Sequence, residues 1–154
     1  MDVKRAGTFK IIENWEIKTV DCFGNTIEKE EFCNLIVNDG LNLVRNLLGN
    51  VSSPDYVKAI AIGTGSTAAA NADTALQIEY TRAASTNTTP VNYQAKFTKT
   101  FTFSSGVSEN ITEAGLFTNV VSGGTMLARV VFAAKAVTVD VSLVVTATIT
   151  ISRG

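Results

Sequence analysis

The chain has 154 residues, of which 45% are hydrophobic and 18% are charged, and its net charge is -1. This length suffices for one domain over residues 1–154 with a substantial core, and the near-zero charge disfavours nucleic acid or an acidic membrane surface as a partner. Because freely dissolved proteins usually carry more charge, we also expect part of the surface to be covered in an assembly.

The N-terminal segment Met1–Arg5 is not followed by an apolar run, so a secretory signal peptide is not expected. No apolar run of the chain approaches the roughly 20 residues that a membrane span requires. The first predicted element is a β-hairpin over about residues 9–33, with its turn at Gly24-Asn25. This hairpin could extend from the rest of the domain.

A two-residue turn would fix the register of the hairpin. Glu16 would then lie opposite Cys33, and Ile17 opposite Phe32, an apolar pair of the kind that stabilises a ladder. Cys22 and Cys33 would be several residues apart along the ribbon, which is too far for a disulfide. We therefore predict free thiols in a reducing compartment.

One short helix is predicted near residues 40–48. Asn38 offers an Asx cap and Gly49 follows the last turn. Between them, apolar residues recur at helical spacing. These residues are Leu41, Val44, Leu47 and Leu48.

Short strands are predicted through most of the remaining chain. They are Val57–Ile62, Leu76–Arg82, residues 93–103 with Phe97, Phe101 and Phe103 on one face, and Met126–Phe132. A polar loop is expected at Ser85–Pro90. Asn110–Glu113 has features of a capping box, with Gly115 ending a single helical turn.

The closing segment, residues 137–151, alternates apolar and polar positions with Val144 as the one apolar even position. This period predicts a β-strand with one buried face. At roughly 3.3 Å per residue the strand would be about 50 Å long, so it must bend, break in two or run past the domain. Together, the short strands predict a mainly β fold: an antiparallel β-sandwich or barrel, jelly-roll-like, with one short helix.

Candidates for chemistry are few. The chain contains no histidine, and its two cysteines alone do not make a zinc site. Glu109 and Glu113 could suggest the paired carboxylates of a glycosidase, but cap chemistry at a turn explains them better. Gly63–Ala68 fits the G-x-G-x-x-A fingerprint, yet no amphipathic helix follows, so a glycine turn leaving a strand is favoured. We predict no catalytic, cofactor-binding or metal-binding residue and no enzyme activity.

A series of short motifs extends from about residue 36 to residue 152. They are Asn38-Asp39-Gly40-Leu41, Ile60–Gly65, Ala72–Leu76 with Glu79, Ile111–Phe117, Met126–Phe132 and the closing strand. Their order and spacing resemble a pattern of structural proteins of tailed bacteriophages. Members of this group are described as capsid decoration, head-fibre, collar, tail or baseplate proteins. The resemblance implies a virion component and brings no catalytic residues with it.

The expected function is therefore that of a non-enzymatic virion component, foremost a capsid decoration or head-associated protein assembled in the host bacterial cytoplasm. It would bind other virion proteins and its own copies through β-sheet surfaces, with a trimer favoured by the resemblance. A tail, collar or baseplate protein is the alternative. A carbohydrate-binding or carbohydrate-cleaving module for host attachment is more remote, and its stacking platforms would be Trp15, Tyr56, Tyr80 and Tyr93.

Overall fold

The computed structural model describes residues 7–34 and 36–153, and the segment Met1–Arg5 discussed above lies outside them. The elements are β1 (Phe9–Asp21), β2 (Thr26–Asn34), α1 (Asn38–Gly49), β3 (Ala59–Gly63), β4 (Glu79–Ala84), β5 (Thr86–Thr88), β6 (Gln94–Phe101), β7 (Ser108–Phe117), β8 (Met126–Thr138) and β9 (Val141–Arg153). Strands account for 55% of the structure and helix for 8%. The predicted mainly β fold with one helix near residues 40–48 is confirmed.

All strand pairs are antiparallel and belong to one nine-stranded sheet. One half of the sheet has the order β2-β1-β9-β6-β5, and the other half has the order β8-β7-β3-β4. The halves meet where β8 turns into β9, and these two strands pair at Thr138 with Val141. Within the described residues the sheet is not closed, which is compatible with a sandwich and not with a closed barrel.

The long closing segment breaks in two, at a turn formed by Val139 and Asp140. In β9 the odd positions face the core, while Thr146 and Thr148 on the other face are half-buried. The predicted one-sided burial is thus confirmed, apart from the half-buried Val141 and the exposed Val139 and Ile151. The buried odd positions are Val137, Leu143, Val145, Ala147 and Ile149.

The core between the two halves of the sheet combines side chains from both. Trp15 and Ile17 of β1 belong to one apolar cluster with Ile60 and Ile62 of β3 and with the predicted phenylalanine face, Phe97, Phe101 and Phe103. A smaller apolar cluster lies on the opposite side of β3 and β7, around Ala61, Leu76 and Phe117. Leu76 belongs to the loop from Thr64 to Ile78, so this loop covers the outer face of the second half of the sheet.

The predicted hairpin exists, but its predicted register is wrong by two residues. Trp15 pairs with Phe32 and Asn14 pairs with Cys33. The cause is the turn, because the Asp21 carboxylate accepts hydrogen bonds from the backbone N–H groups of Phe23 (2.9 Å) and Asn25 (2.8 Å). These bonds hold a loop over residues 22–25 in place of a two-residue turn, and a β-bulge follows at Thr19/Val20.

Within the sheet, β1 lies between β2 and β9 and pairs with β9 along its whole length, from Phe9 with Arg153 to Asp21 with Val141. The buried Lys135 of β8 binds carboxylates of β2, Glu28 at 3.2 Å and Glu30 at 2.9 Å. These contacts hold the hairpin against the other half of the sheet.

Both cysteines of the hairpin, Cys22 and Cys33, are exposed and free. The prediction that they form no disulfide is confirmed. The reducing compartment remains a prediction.

The helix differs from its prediction at both ends and in its buried face. Val37 is the N-cap, without a side-chain cap, and Asn50 is the left-handed C-cap after Gly49. Gly40 and Leu43 are buried instead of the predicted stripe, because the α1 backbone packs closely on β8: a Cβ on Gly40 would overlap the carbonyl of Leu127. Three residues of the predicted stripe are therefore exposed: Leu41, Leu47 and Leu48.

Two further predictions of local structure are wrong. Residues 110–115 form no helical turn but the middle of β7, which pairs with β3 on one side and β8 on the other. The predicted polar loop contains the short strand β5, paired with β6. In both cases pairing with distant strands overrides the local signal.

Candidate functional site

The carboxylate of Glu113 is fully buried, and Glu113 lies in β7 opposite Gly63 of β3. Its Oε1 accepts hydrogen bonds from the backbone N–H groups of Gly65 (3.0 Å) and Ile78 (2.8 Å). Its Oε2 accepts from the N–H of Gln77 at 3.0 Å and from Nε of Arg129 at 2.8 Å. Both oxygens are therefore fully used inside the protein.

Arg129 extends this network from β8 into the loop between β3 and β4. Its Nη1 donates to Oδ2 of Asp73 at 2.7 Å, and its Nη2 donates to the carbonyl of Thr67 at 2.9 Å. Oδ2 of Asp73 also accepts from the N–H of Ala70. The network thus fixes both ends and the middle of the loop to β7 and β8.

The groups of this network stabilise one another in their ionised forms. Burial alone would raise the pKa of Glu113, but hydrogen bonds from Ile78 and Gln77 and the Arg129 guanidinium hold it below its ordinary value. The same balance lowers the pKa of Asp73 and raises that of Arg129. Glu113 is therefore ionised and serves as a structural anchor. A general acid would need a raised pKa, and the pKa of Glu113 is lowered.

The glycines of the G-x-G-x-x-A segment are explained by this anchor. A Cβ on Gly65 would lie 2.5 Å from Oε1 of Glu113, and a Cβ on Gly63 would overlap the carbonyl of Ile78. The segment 64–78 contains no helix, and a dinucleotide fingerprint requires one. The glycines allow a close approach of backbone to a carboxylate.

The two carboxylates that could have formed a glycosidase pair are in different environments. Glu109 is partly exposed and pairs with Val137 across the strands, whereas Glu113 is buried and fully hydrogen-bonded. In the described part of the chain, no group of three or more His, Cys, Asp or Glu side chains could hold a metal ion. No helix of that part is long and apolar enough to cross a membrane.

The four aromatic residues considered as sugar-stacking platforms are also separated. Trp15 is 1% exposed and belongs to the core, so it cannot stack on a ligand. Tyr80 packs against Phe103, with ring centroids 6.1 Å apart. Tyr56 and Tyr93 are largely exposed.

A second buried carboxyl, Glu13 of β1, was not singled out from the sequence. Within the described residues its two oxygens have no hydrogen-bond partner, and neither do Nε1 of Trp15 and Nδ2 of Asn34. Burial raises the pKa of Glu13 to about 8, although the nearby Trp15 indole acts in the opposite direction. Glu13 is therefore a neutral acid in the core near pH 7.

An apolar surface surrounds the outer side of α1 and the adjoining ends of β1, β6 and β9; we call it the helix-side apolar surface. Three depressions form it, and the middle one shares Val44 with the depression beside Phe9 and shares Ala95 and Ile149 with the depression beside Tyr93. It is therefore continuous. Its exposed members are Phe9, Leu41, Leu47, Leu48, Tyr56, Val91, Tyr93 and Ile151.

Sequence reasoning missed Arg129 as the partner of Glu113 and Asp73 as a second partner of Arg129. One signal could have indicated Arg129: it interrupts the apolar segment Met126–Phe132, and a cation in a buried strand needs a buried counter-charge. Its partners are distant in sequence and could not be identified from the chain alone.

No family model, no curated protein and no solved structure matches this chain.

Proposed function

We propose that this protein is a non-enzymatic structural component of a tailed-bacteriophage virion, foremost a capsid decoration or head-associated protein. The observation that carries the proposal is that the buried charged groups of the protein attach a loop to its sheet. Glu113, Arg129 and Asp73 belong to the motifs on which the resemblance rests, and all three hold one loop to the sheet. Such an arrangement supports a rigid scaffold, because both oxygens of Glu113 and all three nitrogen positions of the Arg129 guanidinium are engaged in hydrogen bonds inside the protein.

The exposed face of the molecule supports the same proposal. Monomeric proteins rarely expose a continuous apolar surface of more than a few hundred Å². The helix-side apolar surface therefore favours a protein that works in contact with other protein surfaces, whether other virion proteins or its own copies.

Immunogold electron microscopy of purified particles, from cells that carry this gene, tests the proposal. We expect the label on particles, and its position separates the alternatives. Label on the head supports a decoration or head-associated protein, and label on the tail, collar or baseplate supports the alternative. Absence of the chain from purified particles, confirmed by mass spectrometry, would contradict both.

A carbohydrate-binding module for host attachment is the second candidate, favoured by the exposed rings of Tyr56 and Tyr93. Aromatic rings of this kind can stack on sugars, but the stronger candidate, Trp15, is in the core. Binding on a glycan array that is lost in Tyr93→Ala would support this candidate. No binding to any glycan would remove it.

A further inference from the structure

The helix-side apolar surface is large enough to be half of a stable interface. Leu48 is 79% exposed, Tyr93 76%, Tyr56 61% and Phe9 60%. Taking ~200 Å² for an exposed aromatic side chain and ~120 Å² for an aliphatic one, the exposed members present roughly 700 Å² of apolar area. A standard interface buries about 800 Å² on each partner.

Electrostatics does not oppose contact between two such surfaces. Among the described residues that line the three depressions, Arg45 is the single charged one. Its guanidinium donates to Oδ1 of Asn46 at 2.9 Å, so its charge already has a polar partner. The whole chain has a net charge of -1, and identical copies therefore repel one another little.

A strained residue lies within this surface. Tyr93 has a φ of 66°, in the left-handed region that favours glycine and asparagine. This conformation is unfavourable for a bulky residue such as tyrosine. The residue is largely exposed, and its carbonyl accepts a hydrogen bond from the backbone N–H of Ile151 at 2.9 Å. Because the ring is exposed in the monomer, its burial does not compensate for the unfavourable backbone conformation. Burial of the ring in an interface would.

We propose that a second copy of this chain covers the helix-side apolar surface, with Leu48 and Tyr93 as its anchors. The area matches what a homo-oligomer needs, and the lack of charge makes the surface complementary to itself. The inference rests on the part of the proposed function in which the protein binds its own copies. It leaves the place of the protein on the particle open.

Sedimentation equilibrium of the full chain, in reducing buffer from about 1 to 100 μM, tests the proposal. The variants are Leu48→Asp and Tyr93→Asp, with Val121→Asp as the matched control. Val121 is 78% exposed, close to the 79% of Leu48, but it lies in the loop between β7 and β8. Circular dichroism of all variants verifies folding, and Tyr93→Gly is a further variant that relieves the backbone strain while removing the ring.

We expect the wild type and Val121→Asp to form the same oligomer. Leu48→Asp, Tyr93→Asp and Tyr93→Gly should each weaken association by about 10-fold or more. A wild type that stays monomeric throughout would overturn the proposal, as would an oligomer that Leu48→Asp leaves unchanged. If the wild type is monomeric but Leu48→Asp fails to bind particles, another virion protein covers the surface; the second-copy proposal then fails while the virion function stands.

Discussion

Arg129 donates from Nε to Oε2 of Glu113 at 2.8 Å, and both side chains are buried. Although the two residues are in neighbouring strands, the pair does more than join those strands. Each partner also reaches the loop that covers the outer face of β3 and β7, through Gly65 and Ile78 on one side and Thr67 and Asp73 on the other. This pair is therefore the centre of the loop's attachment.

Loss of the cation should be costly. We expect Arg129→Ala to lower the free energy of unfolding by about 3–5 kcal/mol, because it leaves the Glu113 carboxylate buried without its counter-charge. Urea denaturation measures this change. Arg45→Ala, an exposed arginine of α1, is the control and should change stability by about 0.5 kcal/mol at most. Equal effects of the two substitutions would contradict the assignment of Arg129 as an anchor.

A single added methyl group should also detach the loop. Gly63→Ala would place its Cβ against the backbone carbonyl of Ile78 and 2.6 Å from Oε1 of Glu113. Since backbone cannot move aside cheaply, we expect a clear fall in melting temperature and faster proteolysis within residues 64–78. Gly7→Ala, where an added Cβ meets no atom within 4 Å, should behave as the wild type. A fully stable Gly63→Ala protein would disprove the close packing.

The stability of the protein should decrease toward alkaline pH because of Glu13. The folded-state pKa is about 8, against an ordinary value of 4.5, so the folded state binds more protons than the unfolded state between these values. The stability contribution of the neutral acid is therefore complete below about pH 4.5 and is lost as the pH rises through 8. Glu13→Gln should remove this slope.

Melting curves of the wild type and Glu13→Gln from pH 5 to pH 9 provide the measurement. Relative to the wild type, the free energy of unfolding of Glu13→Gln should rise by at most about 1.4 kcal/mol per pH unit across the range between the two pKa values. Glu109→Gln, at a partly exposed carboxylate, is the control and should follow the wild type. Parallel wild-type and Glu13→Gln curves would show that Glu13 has an ordinary pKa.

The two faces of β9 should tolerate charge very differently. Leu143→Asp buries an unpaired carboxylate in the core and should unfold the protein. Thr148→Asp lies on the half-buried face, directly across from Lys96 of β6, and should leave the melting temperature within a few degrees of the wild type. Val141→Asp should have an intermediate effect because Val141 is only half-buried. Similar damage from Leu143→Asp and Thr148→Asp would indicate that both faces of β9 are buried.

The sequence was sufficient to predict the elements whose signal is periodic burial. The odd face of β9 and the phenylalanine face of β6 follow directly from alternation, because one side of each strand meets the core. Local sequence signals gave wrong predictions where contacts with residues distant in sequence determine the structure. Asn110–Gly115 has the residues of a helix start but is held in β7 by strands on both sides, and the hairpin register depended on one carboxylate, Asp21, that organises a longer loop.

The candidate site was predictable only in part for the same reason. Glycines at 63 and 65 indicated a tight backbone path, but the carboxylate that requires them is 48 residues beyond Gly65 along the chain. The buried face of α1 was misjudged because Gly40, without a side chain, lets the helix approach β8. This approach turns Leu41 and Leu48 outward, and hydrophobic periodicity alone cannot show that.

The pairing of β1 with β9 has a consequence for how the chain folds during synthesis. β1 can form its hairpin with β2 early, but its other edge stays unpaired until β9 has left the ribosome. Until then Trp15 and Ile17 lack the neighbours that bury them, and the open edge of β1 is available to other nascent chains. Such non-local closure predicts slow folding. Cells with limited chaperone capacity should therefore accumulate this protein as aggregates when it is made quickly.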